Sequence, residues 1–578
     1  MPGEMKKYIQ IRIPLVETLK GYNSRAFKGD LNAGIIVAVL LIPQAMAYAV
    51  LAGLPPVYGL YASIIPLVVY ALLGSSRQLA IGPVAIVSLL VFAGVGQLAE
   101  IGSDRFIQLA ILTAFGVGVV QLLMGLFRMG FLVNFLSHPV ISGFTSAAAV
   151  IIAASQLGNL LGIELEGGHQ IHEILMSLAA NLSGLHLLTA VVGGGSILLL
   201  YLLKRWKKTF PAALTVVAAG TAITAIFNLP ALGLEIVGDV PRGLPSLESP
   251  AFLFSDFQAL IPLILVISLV GFVESYAVAK AVANKRGYNI DSNQELIALG
   301  GANLAGSFFQ SYPTTGGFSR TAVNDLSGAK TPLASIITAA LIGLTVLLLT
   351  PLFYYLPNAI LAAIIIVAVI GLFDAKEMVH LWKTDRKDLA MLLVTFIATL
   401  TLGVEEGILT GVVISLIMVI YSSTTPHYAE LGRLGETKNY RNIRRYEEAH
   451  VDREVLIYRF DSPLYFANVE HFRATLEEKM KERGEDLNLV ILDASAIHQI
   501  DSTGIHMLEE LIKDLQVRRI DFYLAGPIGP VRDQLKRCGI FESMEDSIFF
   551  DVADAVEFYN SKSDKHPGYP WSPAQTNF

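Results

Sequence analysis

A single cysteine, Cys538, stands in a chain of 578 residues. One thiol excludes an internal disulfide and any cysteine cluster for zinc; it suits a chain whose polar part stays in a reducing compartment, and its expected role is packing. Charge is scarce as well. Only 16% of the residues are Asp, Glu, Lys or Arg, against about 25% in a soluble domain. There is no basic excess, the net charge being −7, and Lys and Arg are scattered or close apolar runs, which excludes nucleic acid as a partner. Catalytic and metal-binding motifs are missing too. Gly328-Ala329-Lys330-Thr331 has Ala where a P-loop has Gly, residues 317–321 lack the final Gly of a nucleophile elbow, and His498 and His506 have no ligand spacing. No catalytic residue, metal or cofactor is therefore expected, and the chain does not read as an enzyme.

What is plentiful is apolar: 53% of the residues are hydrophobic and the mean hydropathy is +0.56. A window of roughly 19 residues finds about fourteen candidate membrane spans between residues 31 and 422. The polar start carries Lys6, Lys7, Arg12, Lys20, Arg25 and Lys28. Because the apolar run after it is followed by many more, it opens a first transmembrane helix and is not a removed leader. Arg77, Arg128, Lys204, Arg205, Lys285, Arg286 and Lys330 fall on one side of the predicted membrane, and Glu164, Glu166, Glu235, Asp239, Glu248, Glu405 and Glu406 on the other. That asymmetry predicts an even number of crossings with both termini in the cytoplasm. The expected location is the plasma (inner) membrane.

Past residue 430 or so charged residues replace the apolar runs. Strands are predicted over 455–460, 464–466, 487–494 and 521–525, and helices over 469–483, 503–517, 531–537 and 553–559. This alternation predicts a small α/β domain. The expected organisation is a cytoplasmic segment over 1–29, a transmembrane domain over 30–425, the α/β domain over 440–560 and a disordered tail over 561–578.

Two stretches break the apolar pattern in the same way. In Gly316-Gly317-Phe318-Ser319-Arg320-Thr321 an arginine and two hydroxyls stand between long apolar runs, and Pro313 with the Gly pair forbids a continuous helix. A charge at bilayer depth costs about 2.5 to 3.5 kcal/mol on insertion scales, which marks Arg320 as a functional candidate; a solvated loop arginine is the bland alternative. Residues 75–88 repeat the grammar: a polar-to-apolar extended piece, Gly82, then Pro83 expected at the first position of an apolar helix. Two such interrupted segments, one early and one late, predict half-helices whose N-termini meet near the midplane and face an anion.

Pro55-Pro56-Val57-Tyr58-Gly59-Leu60-Tyr61, Gly74-Ser75-Ser76-Arg77 and Ile81-Gly82-Pro83 resemble the signature of the SulP anion transporters, the sulfate permeases, and the resemblance covers nearly the whole chain. Leu492-Asp493 and Asp501-Ser502-Thr503-Gly504 are similar to a STAS domain. The resemblance implies a membrane all-α fold of seven-plus-seven inverted repeats with two half-helices, core and gate domains, homodimers and elevator-type movement. It also implies an anion site drawing on Gln44, Tyr48, Pro83, Val84, Phe318, Ser319 and Arg320. Locally, Pro43 is expected to interrupt the first helix and free Gln44 to reach inward, with Tyr48 one turn on; Ser319 could equally be a helix cap.

Glu274 is an acid inside an apolar span, either a coupling residue or the fixed ion partner of Arg320. In the family this position is associated with coupling, and Glu where sodium-dependent members carry Asp favours protons. The resulting expectation is proton-coupled uptake of an inorganic anion, sulfate first. The alternatives are a sodium-coupled bicarbonate or dicarboxylate carrier, or, in another class, a membrane-anchored STAS sensor or scaffold. Ser502 and Thr503, at the start of a helix, are candidate phosphorylation sites that would switch transport rate or the binding of a cytoplasmic protein partner, with capping by Ser502 as the plain alternative.

Overall fold

The computed structural model describes residues 14–19, 21–135, 137–163, 170–206 and 211–561. Most of the expected disordered tail, from residue 562 on, and the first thirteen residues of the N-terminal segment lie outside that set. The chain divides into two compact units, Met1–Ser415 and Leu416–Phe578.

The first unit is helical. After α1 (Pro14–Thr18) comes α2 (Ser24–Leu51), opened by the side chain of Asn23, which accepts from the Ala26 N–H. Pro43 does not interrupt α2: the helix runs on for 28 residues, since one proline removes a single backbone bond and neighbouring helices support the break. Then follow α3 (Pro56–Tyr61), α4 (Ile65–Leu73), β1 (Ile81–Gly82), α5 (Ala85–Gly96) and α6 (Asp104–Leu126), whose N-cap is Ser103. Next are α7 (His138–Ser155), α8 (Leu157–Leu161), α9 (Ile171–Ala180), α10 (Leu187–Trp206) and α11 (Ala212–Ile226). The long α12 (Phe254–Arg286) ends where Gly287 turns left-handed at φ 73°, and Asp291 caps α13 (Ser292–Ser307). After β2 (Thr315–Gly316) and α14 (Phe318–Leu326) the unit continues through α15 (Leu333–Leu348), α16 (Asn358–Val369), α17 (Ala375–Thr384) and α18 (Arg386–Leu402) into α19 (Val404–Thr424), within which the division at Ser415 falls. Among the described residues eight helical stretches are long and apolar enough to cross a bilayer. Val191, Leu198, Val413, Ile417 and Ile420 on α10 and α19 are exposed apolar side chains suited to lipid.

Helix α13 lies hard against α6. A Cβ on Gly118 would stand 2.4 Å from the Leu304 nitrogen, and one on Gly300 2.5 Å from the Leu122 nitrogen, so only glycine permits this backbone approach. Two fully buried carboxylates tie the loops next to the half-helices onto full helices. Glu295 of α13 accepts from the N–H and Oγ of Ser75 (2.8 and 2.6 Å), the N–H of Ser76 (3.0 Å) and the hydroxyl of Tyr70 (2.6 Å). Asp30 of α2 accepts from the N–H groups of Lys330 and Thr331 (2.6 and 3.0 Å) and the hydroxyls of Thr331 and Tyr22 (2.5 and 3.1 Å). With all four donors in place, each carboxylate is satisfied where an unpaired one could not be buried.

The second unit is α/β. It comprises β3 (Tyr428–Leu434), β4 (Tyr440–Asn442), β5 (Ala449–His450), β6 (Val455–Phe460), α20 (Val469–Arg483), β7 (Leu489–Asp493), α21 (Ser502–Val517) and β8 (Asp521–Ala525). It ends with α22 (Gly529–Arg537), α23 (Ile540–Ser543), β9 (Ile548–Phe549) and α24 (Val552–Ser561). The sheet order is β4-β3-β6-β7-β8-β9 with β5 beside β3; β6 to β9 are parallel and β3 is antiparallel to β6. Alternate residues of β6 and β7 feed two cores, one with Leu456, Tyr458 and Leu492, the other with Val455, Ile457 and Ile491. The strand expected over 464–466 reduces to one bridge, Leu464 with Ile500. Asn468 explains this: its side chain donates to Pro463 O and accepts from the Tyr465 N–H, folding the segment into a turn.

Candidate functional site

Two short extended pieces, far apart in sequence, meet at the centre of the first unit. Strand β1 pairs antiparallel with β2 in the register Ile81 to Gly316 and Gly82 to Thr315, and the Gly317 N–H donates to Ala80 O at 3.2 Å. The side chains of α14 secure the pair: the Ala80 N–H donates to Thr321 Oγ1 (3.1 Å) and Asn324 Nδ2 to Gln78 O (2.8 Å). Each piece then runs into a half-helix. The N-cap of α5 is Val84 and that of α14 is Gly317, neither with a side-chain capping bond. The first N–H groups of both helices are thus left for something else, at the positive ends of two dipoles.

Pro83 lies before the N-cap of α5, not at its first helical position, because Val84 is still extended at φ −133° and ψ 153°. Ser319 does not cap α14 either. It sits in the first turn, exposed, beside Phe318, which is 64% exposed.

Arg320, also in that first turn, is 1% exposed. Its Nη1 donates to Pro83 O at 2.5 Å and its Nη2 to Thr315 O at 3.4 Å, while Nε has no protein partner. The guanidinium therefore bridges the lead-in of one half-helix to the strand before the other. Glycine makes room for it at position 317, where a Cβ would stand 2.8 Å from Nη2.

Helices α2 and α12 pack against both half-helices. From α2, Gln44 Nε2 donates to the hydroxyl of the buried Tyr48 at 2.9 Å, while Gln44 Oε1 is buried without a partner. From α12, Glu274 has a buried Oε2 without a partner. Tyr48, Glu274 and Tyr312 all lie within electrostatic reach of the Arg320 guanidinium. The fixed ion pair between Glu274 and Arg320 does not form; the guanidinium hydrogens go to backbone carbonyls instead. The site thus joins Gln44 to Tyr48 and Pro83 to Arg320 by direct hydrogen bonds, puts Glu274 close by, and leaves Val84, Phe318 and Ser319 at the helix starts.

Sequence reasoning passed over the groups that hold β2. Ser275 Oγ accepts from the Gly316 N–H (2.8 Å) and meets Thr315 Oγ1 (2.6 Å), which donates to Gly271 O (2.6 Å). Asn303 pairs with Thr314 and with Gln121. The only available signal was small polar residues within apolar helices. Among the described residues no group of three or more His, Cys, Asp or Glu could hold a metal ion.

In the second unit Asp501, not Ser502, caps α21. Its Oδ1 accepts from the Gly504 N–H (2.8 Å) and its Oδ2 from the Phe466 N–H (3.0 Å), which leaves the Ser502 and Thr503 side chains exposed.

The sulfate permease family matches residues 27–395 and the STAS domain residues 446–555. Sulfate transporter 4.1, chloroplastic, of Arabidopsis thaliana is 42% identical over 95% of this chain and 83% of its own length. High affinity sulfate transporter 2 of Stylosanthes hamata is 37% identical over 96% and 87%. The solved structure of SLC26A9 superposes with a TM-score of 0.89 at 27% identity, covering 97% of this chain and 95% of that one. That of murine Slc26a9, an anion transporter in the inward-facing state, gives 0.88 at 28%, covering 95% and 94%. The chain is a multi-pass membrane protein that belongs to the sulfate permease family, with a helical transporter core and a STAS domain.

Proposed function

We propose that this protein is a secondary active transporter of inorganic anions, sulfate foremost, driven by protons through Glu274. The observation that carries the reading is the convergence of two half-helix starts without side-chain caps on one buried arginine. N–H groups, two dipole ends and a guanidinium make a site that favours negative charge. Gln44, Tyr48, Pro83, Val84, Phe318, Ser319 and Arg320 would line it. The names of the plant relatives support sulfate.

Coupling follows from electrostatics. An ionised Glu274 competes with the anion for the positive field of Arg320, so a proton on Glu274 removes the competitor, and anion and proton favour each other's binding. Elevator movement, a homodimer, an inner-membrane location and cytoplasmic termini complete the reading. Purified protein in liposomes, assayed for labelled sulfate uptake under a pH or a sodium gradient, tests it. The expected result is accumulation that follows the pH gradient and is lost in Glu274→Gln while sulfate binding persists. Uptake that ignores pH and follows sodium, or that takes bicarbonate or fumarate and not sulfate, would refute it.

A further inference from the structure

Strand β2 and the residue before it have two edges. One faces β1. The other is met at Thr314 by a side chain: Asn303 Oδ1 accepts from the Thr314 N–H at 2.7 Å, and Asn303 Nδ2 donates to Thr314 O at 3.0 Å. A primary amide offers the same donor and acceptor as a peptide, so Asn303 acts as one residue of a third strand. It is 1% exposed, and its amide is held from behind. Nδ2 also lies 3.1 Å from Leu299 O and 3.2 Å from Gln121 Oε1, so its two hydrogens are shared among three acceptors, and Gln121 Nε2 donates to Ser268 O at 3.1 Å. The glycine contacts between α6 and α13 fix the two helices that carry this pair.

We propose that Asn303 is a positioning residue for anion binding, acting through Thr314 on the lead-in of α14. Thr315 O, the next carbonyl, accepts from Arg320 Nη2, and Gly317, two residues later, is the N-cap of α14. A shift of Thr314 therefore displaces both the arginine's acceptor and the free N–H groups of the half-helix. The effect falls on affinity, since Asn303 reaches the half-helix start through Thr314 and makes no hydrogen bond with Glu274. The inference rests on reading the two half-helix starts as the anion site.

The test uses the full chain in liposomes, with labelled sulfate as the probe and folded yield followed by size exclusion. Asn303→Ala is expected to raise the half-saturating sulfate concentration about tenfold, the scale of one or two lost hydrogen bonds. Gln121→Met, which removes only the outer restraint, should shift it the same way by less. Thr113→Ala, the loss of a buried hydroxyl bonded within its own helix at 2.8 Å, is the control and should leave half-saturation unchanged. A merely structural Asn303 would lower yield alone, so wild-type half-saturation in both variants overturns the proposal. If Asn303→Ala gives no folded protein, Gln121→Met decides by the same criterion. Arg320→Ala in the same assay separates the two readings. A shift there without one in the Asn303 variant refutes the positioning role only, whereas no shift in either refutes the site as well.

Discussion

Gly317→Ala tests the arginine bridge without touching a charge. The backbone of Gly317, at φ −102° and ψ 125°, accepts alanine, so any effect comes from the new methyl. That methyl would stand 2.8 Å from Arg320 Nη2 and 2.9 Å from Cζ and Nε, where ordinary contact begins at 3.4 Å. The guanidinium must retreat by about 0.6 Å, since repulsion rises steeply inside contact distance. Its bond to Thr315 O, already 3.4 Å, then passes out of hydrogen-bonding range, while the bond to Pro83 O at 2.5 Å has room to lengthen. At 3.4 Å this contact lies at the weak end of the hydrogen-bond range, so losing it costs about 0.5 to 1.5 kcal/mol, up to roughly one decade in affinity if the anion-bound state carries the whole penalty. Initial sulfate uptake over a range of concentrations should therefore show half-saturation raised severalfold, up to about tenfold, with the maximal rate less affected. Gly371→Ala, whose methyl would meet nothing within 4 Å, is the matched control. A folded Gly317→Ala protein that saturates like wild type would remove the bridge from the binding site.

Other expectations are equally concrete. Glu295→Ala strands the Ser75 and Ser76 N–H groups in the interior, at about 1 to 3 kcal/mol for each unsatisfied donor, so the apparent melting temperature should drop by several degrees; an unchanged value would refute the anchoring role. In the STAS domain burial tends to raise the Asp461 pKa, but its bonds to Arg459 (2.6 Å) and His427 (2.7 Å) leave it below the usual carboxylate value. A depressed folded-state value contributes stability above the unfolded pKa and loses it as pH falls through the folded one. The protection of the β6 amides, measured in the intact protein relative to the intrinsic exchange rate at each pH, should accordingly fall on acidification, and Asp461→Asn should flatten that dependence; identical pH profiles would exclude it. Finally, Ser502→Asp or Thr503→Asp puts a second negative charge beside the capping Asp501, and should change transport rate or partner binding while sparing sulfate affinity. Equal rates and binding in both variants would leave Ser502 and Thr503 without a regulatory role.

The half-helices were legible in the sequence because Pro and Gly break apolar runs for covalent reasons that need no neighbours, and Arg320 was legible because charge inside such runs is expensive. Errors arose where a local rule met a tertiary one. Pro43 looked like a break, but a packed membrane helix tolerates one missing bond. Pro83 looked like a first helical residue, yet its carbonyl is taken by Arg320, and the helix begins two residues later. Asn303, Gln121, Ser275 and Glu295 were invisible as positioning groups. A buried amide, hydroxyl or carboxylate is recognised by its partners, and theirs come from other segments: Thr314 for Asn303, Ser268 for Gln121, Gly316 for Ser275, and Ser75 with Tyr70 for Glu295.

The pairing of residues 81–82 with 315–316 also bears on how the chain enters its membrane. Helix α14 has nine residues, too few to span, and holds Arg320, Asn324 and Asp325 in its buried face. Each of the two charges would cost about 2.5 to 3.5 kcal/mol at the centre of a lipid-exposed helix. The segment therefore cannot partition into lipid on its own merits as it leaves the ribosome. It needs a polar slot already built by β1, α2 and α12, with Pro83 O waiting for the arginine and Lys285 and Arg286 waiting for Asp325. Docking of α14 therefore has to follow insertion of α2, β1 and α12, whatever the order of the helices after it.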